Sequence, residues 1–138
     1  MNALNNDTLS GKWAYRSLLN NPDLSVNFDA LEFGQGTISL QIAGGAITGT
    51  IGGSGWQLAL KGSLQYGSPA TLWFQGSGEV NGAPWVYDYL GYLVPQIPNG
   101  VKQVTAIVGS VTRAIPHPDG QGGISPAGVV VSFYAVQQ

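Results

Sequence analysis

Apolar side chains recur at every second position through most of the chain, in runs of six to eleven residues broken by Gly, Pro and Asn. This is the period of strands with one buried face. The segment Gly55 to Lys61 is the plainest case, with Trp56, Leu58 and Leu60 on one face and Gln57, Ala59 and Lys61 on the other. Extended outward, the pattern predicts strands near 11–19, 28–34, 36–43, 46–52, 55–66, 70–80, 84–94, 103–114 and 127–136, and no helix. Gly34-Gln35-Gly36, Gly44-Gly45 and Gly52-Gly53-Ser54-Gly55 read as tight turns, because hairpin loops need positive φ and glycine supplies it. Short loops between successive strands make an up-and-down meander. Glycines inside the strands, at Gly62, Gly76, Gly78, Gly91 and Gly109, let it curl. The predicted fold is all-β, an antiparallel up-and-down β-barrel of eight or nine strands forming a single domain over residues 1–138, with an open two-sheet sandwich as the alternative. Two longer loops, Pro95 to Gln103 and Pro116 to Pro126, are expected on the surface, with a shorter one at Leu19 to Leu24.

The late strands break the alternation. Val104 to Val111 and Val129 to Val136 have no polar face, and doubly apolar strands are expected where both faces are covered. With no helix to cover them, a second subunit is the expected cover. The chain is therefore read as a homo-oligomer, a dimer or a dimer of dimers (tetramer), packed through the outer faces of strands 84–94, 103–114 and 127–136. Cover by the chain's own loops is the alternative.

Composition sharpens this picture. Five Lys plus Arg and seven Asp plus Glu make 9% of 138 residues, where about a quarter is ordinary. The deficit is local: residues 80–112 hold only Asp88 and Lys102, and 120–138 hold no charge. The basic residues are scattered and the net charge is −2, which speaks against a nucleic-acid partner. No apolar run approaches the roughly 18 residues of a membrane helix, and the opening Met1 to Asp7 lacks the features of a signal peptide, so no membrane partner and a cytoplasmic location are expected. The absence of cysteine removes disulfides, thiol nucleophiles and Cys-based zinc sites. With a single histidine, His117, and carboxylates too spread for a calcium loop, neither a metal nor a cofactor is expected. No nucleophile elbow or phosphate loop occurs, and no catalytic residue is assigned.

The densest chemistry is Trp85, Tyr87, Asp88, Tyr89 and Tyr92. Alternation sets Trp85, Tyr87 and Tyr89 on one face. If that face lines the barrel, these rings with Tyr15 and Trp56 form a candidate binding wall for a small apolar or aromatic molecule. The alternative is that the rings fill the core. Asp88 shares the other face with Val86, Leu90 and Val94, where an isolated buried carboxylate is costly. An ion pair with Arg16 or Arg113, at or near a contact surface, offsets that cost, and Arg16 points outward if Trp13 points in. Three functions follow: a ligand-binding barrel, a filled structural or protein-interaction module, or a cofactor-free enzyme pairing a tyrosine with Asp88 or Glu79 for proton transfer.

Gly11-Lys12-Trp13, a G-x-W opening the first strand of a small antiparallel barrel, resembles the calycin superfamily of lipocalins, fatty-acid-binding proteins and avidins, with the avidin-like branch nearest in length and topology. The resemblance implies that Trp13 plugs one end of the barrel and that a late-strand cation, here Arg113, packs across it. It does not extend to biotin-contacting positions. The strings Trp85 to Pro95 and Ala106 to Ser110 look like those of a small bacterial family without assigned function.

Overall fold

The structure, a computed structural model, describes residues 9–138; Met1 to Asp7, read above for a signal peptide, lie outside that range. The elements are β1 (Gly11–Leu18), a one-turn helix α1 (Phe28–Leu31), β2 (Glu32–Ala43), β3 (Ala46–Gly53), β4 (Trp56–Gln65), β5 (Thr71–Val80), β6 (Ala83–Val94), β7 (Ala106–Arg113), the two-residue strands β8 (His117–Pro118) and β9 (Ile124–Ser125), and β10 (Val130–Gln137). Eight of them close an antiparallel up-and-down barrel in the order β1-β10-β7-β6-β5-β4-β3-β2, while β8 and β9 pair separately. Closure leaves the barrel without an unpaired edge.

The two-residue period decides which side chains go in. On β4, Leu58 and Leu60 are buried while Gln57, Ala59 and Lys61 are exposed, as their alternation predicts. Ile38, Leu40, Ile47, Ile51, Leu72, Ile107 and Val111 are likewise buried. Each such side chain contributes about 1.5–3 kcal/mol on leaving water. In the middle of the barrel the rings of Phe74 and Tyr89 stack at 4.9 Å, and Tyr15 and Phe133 meet Tyr89 edge-on at 6.2 and 5.8 Å. Trp13, fully buried, closes one end and donates its indole N–H to the Leu9 carbonyl at 3.1 Å. Buried side chains thus occupy the barrel from the Trp13 end through its centre.

Three sequence expectations are corrected. Residues 28–34 do not form a separate strand: Asn27 caps a helical turn by accepting from the Asp29 N–H at 3.1 Å, and β2 starts only at Glu32. Gly34-Gln35-Gly36 is not a turn but part of β2. A Cβ on Gly36 would run into the Gly52 carbonyl of β3, so this glycine serves close strand approach, not chain reversal. Gly44 and Gly45 do make the expected turn, with φ of 59° and 84°. Finally, the segment Pro116 to Pro126 is not a simple surface loop. It folds as the β8–β9 hairpin and carries a buried His117.

Candidate functional site

In a meander, odd-numbered strands run the same way, so β1 and β7 both travel from the Trp13 end toward the opposite mouth. At that mouth lies a cavity of about 240 Å³ bounded by Tyr15, Ser17, Phe33, Gly34, Trp56, Trp85, Tyr87, Tyr89, Arg113 and His117. All five aromatic residues singled out from the sequence, Tyr15, Trp56, Trp85, Tyr87 and Tyr89, border it. Tyr15 and Tyr89 form the floor, above the stacked rings of the core. Tyr87 and Trp85 rise along β6, and Trp56 stands at the start of β4.

The polar side of the cavity is a hydrogen-bonded chain. Arg113, at the end of β7 and directly opposite Tyr87 in register, donates Nε–H to the Tyr87 hydroxyl at 2.9 Å. That hydroxyl lies 2.7 Å from His117 Nε2, and His117 Nδ1 lies 2.8 Å from the Pro118 carbonyl. A carbonyl can only accept, so Nδ1 carries the ring proton; in the neutral imidazole Nε2 then accepts from Tyr87. The imidazole stacks on Trp85 at 4.0 Å and 13°. Arg113 also donates Nη1–H to the Pro126 carbonyl at 3.0 Å and sits over the rings of Phe33 at 5.2 Å and Tyr87 at 5.7 Å.

The hairpin that delivers His117 is tied by Asp119. Its carboxylate accepts the backbone N–H groups of Gln121 at 2.7 Å and Gly123 at 3.0 Å, which hold its pKa below the usual carboxylate value. At the floor, burial pushes the Tyr15 phenol up to about 12, its hydroxyl sharing hydrogen bonds with Ser17 and Tyr89. Burial likewise raises Tyr89 well above 10, reinforced by its neighbours Tyr15 and Tyr87.

Other expectations separate here. Trp13 begins an odd strand and Arg113 ends one, so they sit at opposite ends of the barrel, and Arg113 packs on Phe33 and Tyr87 instead of Trp13. Arg16 and Asp88 both point outward but do not meet: Arg16 donates to the Tyr134 hydroxyl at 3.1 Å, and Asp88 accepts from Gln75 at 2.8 Å. Two strands, β10 and β7, lie between theirs. Asp88 is thus on the face of β6 opposite Tyr87 and Tyr89, and Glu79 is exposed on β5, so the tyrosine–carboxylate pairing for proton transfer does not form. Ser17, Phe33, Gly34 and His117 border the cavity without having been singled out from the sequence as binding residues, and of these His117 carries the chemistry. Its signal was position, four residues after Arg113 between two prolines that restrict its backbone. Among the described residues no group of three His, Cys, Asp or Glu is arranged to hold a metal, and no helix is long and apolar enough to cross a membrane.

Comparison of the chain with protein-family models, with curated proteins and with solved structures finds no match.

Proposed function

We propose that this chain is a small-molecule-binding barrel of calycin-like design, whose ligand occupies the mouth cavity. The observation that carries the reading is the junction of six aromatic side chains, Tyr87 among them, with the Arg113–Tyr87–His117 chain around one cavity, above a core of buried side chains. Apolar walls with a few converging polar groups are the usual make-up of a ligand site. At about 240 Å³ the cavity is below the roughly 300–1,000 Å³ of drug-sized pockets, yet above the roughly 150 Å³ that accepts benzene. The ligand is therefore compact, a single substituted ring or a short branched chain. Native mass spectrometry of purified protein, with tryptophan fluorescence titrations by single-ring aromatic probes, tests this. Co-purified small-molecule mass or saturable quenching of Trp56 and Trp85 is expected. A bare polypeptide mass together with unchanged fluorescence across the probe set would overturn it.

A second reading concerns the outer wall. Trp73, Leu90 and Tyr92 are 65%, 50% and 45% exposed, and they continue through Val108 to Tyr134 across adjacent strands. Of the charged residues on β6, β7 and β10, Arg113 points inward, leaving Asp88 as the only charge on the outer face of these three strands. We read this surface as the interface of a homodimer, alongside ligand binding.

A further inference from the structure

Arg113 is only 8% exposed, yet the atoms it engages, the Tyr87 oxygen and the Pro126 carbonyl, are neutral. A buried cation is costly unless an anion or a dense set of acceptors compensates it. Contacts with the faces of Phe33 and Tyr87 meet part of that cost. None of the cavity residues is acidic. The six carboxylates of the described residues are all engaged or placed elsewhere. Asp23 accepts from Ser25, Asp88 from Gln75, and Asp119 from its own turn. Asp29 and Glu32 border a separate depression beside α1, and Glu79 is exposed.

The guanidinium carries five N–H groups in a planar fork, and two are used, one on Nε and one on Nη1. Among the described residues no fully buried side-chain nitrogen or oxygen lacks a partner. Nη2 has no such bond among the described residues and so is not fully buried, and Arg113 borders the cavity. Its neighbours add no negative charge, since the Tyr87 proton is directed to His117 and the His117 proton to the Pro118 carbonyl. The polar wall is electropositive, and the other walls, Trp56, Trp85 and Phe33, are aromatic.

We propose that the cavity selects compact monocarboxylates, with the carboxylate paired to the free edge of the Arg113 guanidinium and an aryl or short branched body held against Trp56, Trp85 and Phe33. The inference rests on the ligand-binding reading above. Arginine is suited to it because its fork matches the two carboxylate oxygens and stays charged when buried.

The test is calorimetric titration of the full chain with benzoate and phenylacetate against their uncharged counterparts benzamide and benzyl alcohol, with inorganic phosphate as a ringless anion. Carboxylates are expected to bind at least tenfold more tightly than the matched amide or alcohol, and phosphate at least tenfold more weakly than benzoate. Arg113→Gln is expected to abolish the carboxylate preference, bringing benzoate to within a fewfold of benzamide, and Arg113→Lys to restore only part of it. Equal affinity of wild-type protein for benzoate and benzamide overturns the carboxylate proposal and leaves the binding reading standing. Phosphate binding as tightly as benzoate also overturns it, because the aromatic walls would then play no part. No binding of any ring, charged or neutral, sinks the binding reading itself. The wild-type comparison decides the matter even if the Arg113 variants do not fold.

Discussion

Burial of the Tyr15 phenol, whose pKa rises from 10.0 to about 12, makes a single side chain report on the integrity of the barrel's centre. Below pH 10 both the native and unfolded chains keep this phenol neutral, and its contribution to stability is constant. Above pH 10 the unfolded chain releases the proton first, so stability falls as pH rises, until the native phenol also ionises near 12. The loss from Tyr15 alone is about 3 kcal/mol at about 1.4 kcal/mol per unit, and Tyr89, raised for the same reason, adds to it. Urea midpoints measured from pH 8 to 11.5 should decline above pH 10, and Tyr15→Phe should flatten the decline. Native protein in which all six tyrosines show tyrosinate absorbance with midpoints near pH 10 would contradict it. At this scale the sequence was informative about which rings face inward, because alternation along β6 needs no knowledge of the partner strands. It was silent on what Arg113 touches. Strand parity already sets Arg113 and Trp13 at opposite ends, but that step requires a correct strand count, which an extra strand at 28–34 obscured.

The same ambiguity governs the elements. Glycine has two uses in this chain, positive φ at the turn Gly44-Gly45 and the absence of a Cβ where strands crowd, as at Gly36 against Gly52. A sequence displays the residue but not the reason, so Gly34-Gln35-Gly36 looks like a turn although β2 runs straight through it. Gly36→Ala places a methyl against the Gly52 backbone, which cannot move aside without disturbing the β2–β3 pairing; it should cost roughly 1–3 kcal/mol in chemical denaturation. A change below a few tenths of that would mean the two strands separate more easily than their register suggests. The β8–β9 hairpin was illegible for another reason: two-residue strands carry no periodicity. Its order comes from Asp119, and Asp119→Ala should speed amide exchange several-fold at Gln121 and Gly123 and loosen the His117 stack on Trp85, with exchange in β3 and β4 unchanged. Unaltered exchange at those two amides would show that the barrel mouth, not the aspartate, orders the hairpin.

For the whole molecule, the charge deficit of the C-terminal strands gains a geometry. In register, Arg16 lies opposite Tyr134, which lies opposite Val108, which lies opposite Tyr92; Asp88 is four residues further along the same strand. The midpoint between Arg16 and Asp88 falls between β10 and β7 at the paired small residues Ser132 and Ser110. In the proposed homodimer, a two-fold axis through that point would carry Arg16 of one protomer onto Asp88 of the other, so the pair that fails to form within a chain would form twice between chains. The wall it spans, four strands spaced about 4.8 Å and about eight residues long, projects roughly 500 Å². Side-chain relief adds to that, toward the roughly 800 Å² per partner of a stable interface. Sedimentation should therefore give a dimer at micromolar concentration. Arg16→Glu or Asp88→Arg alone places like charges together at two symmetric contacts, weakening the dimer by on the order of ten- to thirtyfold at about 1 kcal/mol per contact. The double reversal should recover most of the loss, because only the partners have exchanged sign. A general effect on folding would not recover, which separates an interface from a stability defect. A wild-type monomer at tens of micromolar, or a double variant no better than either single one, would leave the wall without this partner. Recovery would explain why the barrel keeps Leu90 and Tyr92 on its outside while its polar machinery gathers at one mouth.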